Sequence, residues 1–84
     1  MENNFDTRTA VANRILALCA SHGITPNGLS YLAAVPQATI KSILNGESRN
    51  PGIVTIKKLC DGFGISLGDF FSTPEFERLE QEIK

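Results

Sequence analysis

Apolar residues along the chain recur every three or four positions, which is the spacing of one face of an α-helix. No stretch alternates apolar and polar residues in the manner of a β-strand. We therefore predict an all-α protein with five short helices and a C-terminal helical extension. The predicted helices lie at 7–21, 26–33, 36–44, 53–63 and just after Ser66, and the extension is a helix over 75–84.

Glycine, proline and hydroxyl residues supply the boundaries of these helices. Thr25-Pro26 and Thr73-Pro74 each combine an N-cap residue with a proline suited to a first helical position. Pro36 is expected to begin the third helix, because a proline disfavours helical geometry in the residue before it. The predicted helix ends are Gly23, Asn45-Gly46 and Gly64.

The apolar faces of the helices define the predicted core. Each helix contributes two to four large side chains, and both cysteines fall on these faces as small hydrophobic residues. The predicted core consists of Val11, Ile15, Leu18, Cys19, Leu29, Leu32, Ile40, Ile43, Leu44, Ile56, Leu59, Cys60, Phe63, Leu67, Phe70 and Phe71.

The second and third predicted helices are joined by only Ala34-Val35, which makes them a helix-turn-helix pair. The apolar side of the third helix would hold it in place. Its other side is polar and includes an amide at the N-terminal end, the end that approaches DNA bases in this motif. An α-helix fits the major groove of B-DNA, where amide and hydroxyl side chains can contact base edges. The polar residues are Gln37, Thr39, Lys41, Ser42 and Asn45.

Residues 24–71 resemble the phage repressor and Cro class of helix-turn-helix transcriptional regulators, also called the Xre family. The resemblance lies in VPQATI followed by ILNG, then NP, then the pattern I-x-x-L-C-D-x-F-G-I-S-L. It implies a lambda-repressor-like fold and a bacterial DNA-binding regulator or repressor that acts on double-stranded DNA. Two departures are mild: Ala34 stands where the family usually has glycine, and Ser30 where it usually has alanine.

The resemblance also implies roles for individual residues. The family's main base-contacting glutamine falls on Gln37, and its other base-facing positions fall on Ala38, Lys41 and Ser42. The residue that opens the second helix commonly touches the DNA backbone, but here it is Pro26, which has no side chain for that contact. The expected phosphate-contacting residues are Thr25, Thr39, Asn45 and Arg49.

The C-terminal extension poses a separate question. Phe76, Leu79 and Ile83 share one side of the predicted helix 75–84. They could pack back on Phe70 and Phe71, or they could join the interface of a homodimer. We expect a homodimer, because an inverted-repeat operator needs two domains at a fixed spacing. The whole chain, 1–84, is expected to form one domain, with its core at about 7–71 and the extension at 74–84.

Charge favours a rival interpretation. The net charge is −1, although the acidic excess is confined to the extension and the basic residues concentrate between 41 and 58. The alternative function is a protein-interaction module of the same fold, such as an antitoxin or a partner-binding component. Such a module would bind little DNA.

Other classes of function find no support in the sequence. There is one histidine and no glycine-rich phosphate loop, so we expect neither an enzyme nor a cofactor. Cys19 and His22 have the spacing of two metal ligands and Cys60 could be a third, but no clear fourth ligand exists and we expect no metal. The N-terminus lacks a secretory signal, so we expect a cytoplasmic, nucleoid-associated protein.

Overall fold

Six α-helices follow one another in the computed structural model, which describes residues 6–48 and 50–83. The described residues contain no β-strand. The all-α prediction is confirmed, and five helices match their predicted positions to within one or two residues. The helices are α1 (Thr7–His22), α2 (Pro26–Ala33), α3 (Gln37–Leu44), α4 (Ile53–Phe63), α5 (Leu67–Phe71) and α6 (Pro74–Glu77).

The core is built from the apolar faces of α1 to α5, as the helical spacing predicted. Its largest fully buried side chains come from all five of these helices. One predicted core residue is wrong: Leu32 is 60% exposed. The buried side of α2 is made by Leu29, Ser30 and Ala33, and Leu32 lies on the other side. The largest fully buried side chains are Phe70, Ile15, Leu29, Ile40, Leu59 and Cys60.

Side-chain caps mark the start of α1, α2 and α5, whereas Thr73 makes no capping hydrogen bond at the start of α6. Thr25 Oγ1 accepts a hydrogen bond from Gly28 N at 3.0 Å, which satisfies a free donor in the first turn of α2. Asp6 caps α1, and its pKa is lowered to about 2 by hydrogen bonds from the Thr9 backbone and side chain and from Arg8. Pro36 lies at the N-cap of α3, so the helix begins at Gln37, one residue later than predicted.

The turn between α2 and α3 places a non-glycine residue in left-handed geometry. Ala34 has φ 56° and ψ 42°, and it ends α2 by donating its backbone N–H to Ser30 O. Left-handed backbone geometry is unfavourable for alanine because its Cβ crowds the neighbouring carbonyl. The glycine that is usual at this position in the phage repressor and Cro class would remove that crowding.

Replacing Ala34 with glycine is expected to raise the free energy of unfolding by about 0.5–1 kcal/mol, since relief of strain exceeds the added chain entropy. Urea denaturation measures the change. Ala17→Gly is the matched control, because Ala17 lies on the exposed side of α1 and glycine there should destabilise by about 1 kcal/mol. A loss of stability in Ala34→Gly similar to that of the control would contradict the interpretation.

Contacts with α1 and α4 hold the helix-turn-helix pair in place. α2 packs against α4 and α3 packs against α1. The approach of α4 to α2 depends on Gly62, where an added Cβ would lie 3.1 Å from both the Cβ and the backbone N of Ala33. A larger side chain at residue 62 would push α2 away and displace α3 with it.

The C-terminal extension differs from its prediction. α6 ends at Glu77, and residues 79–83 are not helical, so the predicted helix over 75–84 is wrong within the described residues. A ten-residue segment is marginal as a helix unless packing supports it along its length. Here Phe76 packs on the Phe71 and Phe70 rings, at 5.0 and 6.2 Å between centroids, whereas Ile83 is 86% exposed.

The extension lies against its own domain. α6 packs beside α1, and Thr7 Oγ1 donates a hydrogen bond of 2.6 Å to Glu82 Oε2. Leu79 is half-buried. Of the three apolar residues expected to act together, Phe76 packs on the core and Ile83 does not.

Candidate nucleic-acid interface

Helix α3 presents one apolar and one polar side, and the packing of the apolar side determines where the polar side points. Ile40 and Ile43 are buried against the rest of the core. Gln37, Ala38 and Lys41 are exposed. These three residues lie at i, i+1 and i+4 on the helix, so they form one continuous exposed surface.

The start of α2 extends this surface. Pro26 and Asn27 line a shallow groove together with Gln37, Lys41 and Asn45. Gln37 is the first residue of α3, and its side-chain amide has no hydrogen-bond partner among residues 6–48 and 50–83. The amide can therefore offer a donor and an acceptor to a ligand.

Ser42 lies one turn after Ala38 on α3, and the loop that follows the helix contacts it. Its hydroxyl donates to Glu47 Oε1 at 3.4 Å, and its carbonyl accepts from Ser48 N at 3.0 Å. A second hollow borders the groove at Ala38 and is lined by Ala38, Thr39, Ser42, Glu47 and Ser48. The predicted base-facing residues Ala38 and Ser42 are thus brought together, and Thr39 is half-buried beside them.

The predicted phosphate-contacting residues lie at the ends of the helix pair. Thr25 is exposed at the start of α2, where its oxygen accepts the capping bond and its hydroxyl proton can be donated elsewhere. Asn45 is exposed at the end of α3, and its Oδ1 accepts from Glu47 N at 3.0 Å. Its amide NH₂ group is not used in that bond. Arg49 lies outside the described residues.

Two residues of this surface were not predicted from the sequence. Asn27 follows Pro26 and places an amide in the groove beside Gln37. A search for polar residues in the first turn of α2 could have found it. Glu47 reaches the surface only because the loop after α3 folds back on Ser42, and no spacing in the sequence signals that fold.

Two basic residues outside this surface, Lys57 and Arg14, are engaged in contacts within the protein. Lys57 forms an ion pair with Asp61 one turn later on α4, so part of the basic cluster between 41 and 58 is neutralised. Arg14 donates to the carbonyl oxygens of Phe70 and Asp69 at 2.7 and 2.8 Å and thereby joins α1 to the end of α5.

The cysteines behave as core residues. Cys19 and Cys60 are buried with free thiols, and burial raises the pKa of both.

His22 lies at the C-terminal end of α1 with its ring 5.2 Å from that of Phe63. Across residues 6–48 and 50–83, no three histidine, cysteine or acidic residues are grouped as a metal site would require. None of the helices in these parts of the chain has the length and apolarity that a membrane crossing requires.

Comparison with known proteins agrees with this geometry. The family model of the Cro/C1-type HTH DNA-binding domain matches residues 14–75. The crystal structure of the prophage Lp1 protein 11 superposes with a TM-score of 0.77 at 30% sequence identity, over 94% of this chain and 100% of that chain. No curated protein matches the sequence. The family match spans both helices of the helix-turn-helix pair and most of the core that supports them. The chain belongs to the Cro/C1-type HTH DNA-binding domain family, and its predicted resemblance to phage repressor and Cro proteins is confirmed.

Proposed function

We propose that the protein is a sequence-specific DNA-binding regulator of transcription that inserts α3 into the major groove. The observation that carries the proposal is the exposed surface of Gln37, Ala38 and Lys41 on a helix whose opposite side is fixed in the core. Family membership supports DNA binding in general, and this surface supplies the chemistry for base recognition.

Base recognition is assigned to four residues of α3. Gln37 pairs with the N6 and N7 atoms of an adenine, because a side-chain amide matches that donor and acceptor. Ala38 provides an apolar contact suited to a thymine methyl group, and Lys41 and Ser42 contact bases or the adjacent backbone. The N-terminal position of Gln37 on the helix supports its leading role.

Phosphate contacts orient the helix on the duplex. Thr25 lies at the start of α2 and Asn45 at the end of α3, and each retains a hydrogen-bond donor. Asn27 takes the place of the side-chain contact that Pro26 lacks, since its amide lines the groove beside Gln37. Thr39 and Arg49 keep the phosphate-contacting roles expected of them from the sequence.

The protein acts as a homodimer on an inverted-repeat operator in the bacterial cytoplasm. Two recognition helices must then lie about one DNA turn apart, ~34 Å. Phe76 is committed to its own domain, where it packs on Phe70 and Phe71. Ile83 is the strongly exposed apolar side chain of the extension and is available to a second copy.

Binding to duplex DNA at increasing salt concentration tests the proposal. A protein that neutralises several phosphates releases counterions, so we expect the logarithm of the binding constant to fall linearly with the logarithm of salt concentration. A slope of about −0.9 per phosphate contact would give the number of contacts. Folded protein that binds no duplex at any salt concentration would contradict the proposal.

A second candidate function is a protein-interaction module with little DNA binding, such as an antitoxin. It is favoured by Tyr31 and Leu32, consecutive residues of α2 that are 78% and 60% exposed. The net charge of −1 also suits a protein partner better than a polyanion. The salt series separates the two functions.

A further inference from the structure

The loop after α3 holds a carboxylate beside the recognition surface. Asn45 Oδ1 accepts a hydrogen bond from Glu47 N at 3.0 Å. The next residue, Ser48, donates its backbone N–H to Ser42 O at 3.0 Å. Hydrogen bonds at the backbone nitrogens of Glu47 and Ser48 therefore fix the backbone on both sides of the Glu47 Cα. The position from which the Glu47 side chain extends is defined by these two bonds.

The Glu47 side chain turns towards α3. Its Oε1 accepts from Ser42 Oγ at 3.4 Å, and the carboxylate lines the same hollow as Ala38 and Thr39. Glu47 is exposed, so the folded protein gains no core contact from it. A negative side chain that lies on a surface which must approach phosphates is unfavourable for DNA binding unless it meets a hydrogen-bond donor.

The hydrogen bond from Ser42 to Glu47 determines which hydrogen-bonding groups the two side chains can offer to a DNA base. The Ser42 hydroxyl proton is directed at Glu47, which leaves the serine oxygen as an acceptor, and the carboxylate is also an acceptor. In the major groove cytosine presents the N4 amino donor, whereas guanine presents two acceptors there. Adenine places an N7 acceptor beside its amino group, which a second acceptor on the protein would repel.

We infer that Glu47, acting with Ser42, is a specificity-determining residue that selects cytosine at one base position of each half-site. The inference rests on the proposed function and goes beyond it, because it assigns a base preference to a loop residue outside the recognition helix. Gln37 and Glu47 then divide the recognition of the half-site, with adenine contacted at the start of α3 and cytosine near its end.

Binding constants for Glu47→Ala test this assignment. The operator selected by the wild-type protein is synthesised with each alternative base pair at every half-site position, and fluorescence anisotropy gives the dissociation constants. At one position the wild-type protein is expected to bind the cytosine-bearing duplex roughly tenfold more tightly than the alternatives. Glu47→Ala is expected to reduce that difference to about twofold or less. Its binding to random-sequence duplex should strengthen because a negative charge has left the surface.

Glu77→Ala is the matched control, since Glu77 is an exposed glutamate of α6 outside the recognition surface. It should retain the full cytosine preference. A cytosine preference that is unchanged in Glu47→Ala would overturn the inference while leaving the proposed function intact. Failure of the wild-type protein to select any operator would instead count against the proposed function itself.

Discussion

Replacing Phe70 with alanine is expected to lower the free energy of unfolding by about 3–5 kcal/mol. The Phe70 side chain is fully buried. Its ring contacts Phe71 edge-on at 4.8 Å between centroids, and the Arg14 guanidinium lies 5.9 Å from its centroid. Removing the ring would leave a cavity where α1, α5 and α6 meet. Urea denaturation followed by circular dichroism measures the loss.

Two further variants control the Phe70 measurement. Phe70→Leu keeps most of the buried volume and should retain enough stability for a complete unfolding curve. Ile83→Ala shortens a large apolar side chain at an exposed site and should change stability by no more than about 0.5 kcal/mol. Similar small losses for Phe70→Ala and Ile83→Ala would mean that the aromatic cluster of Phe70, Phe71 and Phe76 does not stabilise the domain.

Replacing Gln37 with alanine is expected to weaken binding to the selected operator by ~1–3 kcal/mol and to relax base preference at one position of each half-site. The physical reason is the loss of a paired hydrogen bond to one base, with phosphate contacts left in place. Binding to random-sequence duplex should therefore change little. Competition between operator and random duplex measures both effects.

Gln81→Ala is the control for Gln37→Ala, because it removes the same side chain from an exposed site in the C-terminal extension. It should bind like the wild-type protein. If Gln37→Ala keeps the full base preference of the wild-type protein, the assignment of α3 as the recognition helix with Gln37 at the base edge is wrong.

The helices that form the core could be predicted from the sequence because each has an apolar face and a clear boundary. Ile15 and Leu59, for example, fall on faces whose spacing matches the observed burial. The exposure of Leu32 could not be predicted from helical spacing. The buried side of this eight-residue helix is made by Leu29 and the small residues Ser30 and Ala33, and Ala33 lies close to Gly62 of α4.

The C-terminal extension shows where helical spacing alone is insufficient. Phe76, Leu79 and Ile83 have the right periodicity, but helix formation in a short segment depends on packing. Within the segment, Phe76 packs on the rings of Phe70 and Phe71, whereas Ile83 near its end is exposed. The hydrogen bond of Glu82 to Thr7 joins residues 75 positions apart, a contact that no local pattern could indicate.

The candidate site was predictable to the extent that it lies on one helix. Gln37, Ala38 and Lys41 share a face by their spacing, and the structure exposes that face. Asn27 and Glu47 join the surface through tertiary contacts, one across the helix-turn-helix pair and the other through a loop. Contacts of this kind follow from the three-dimensional arrangement of the helices.

Selection of bound duplexes from a random-sequence pool at about 100 mM salt tests whether α3 recognises DNA bases. We expect enrichment of an inverted repeat whose two half-sites are centred about one helical turn apart, each containing an adenine position that depends on Gln37. Protein that is folded by circular dichroism and enriches no sequence would contradict the claim that α3 recognises DNA bases.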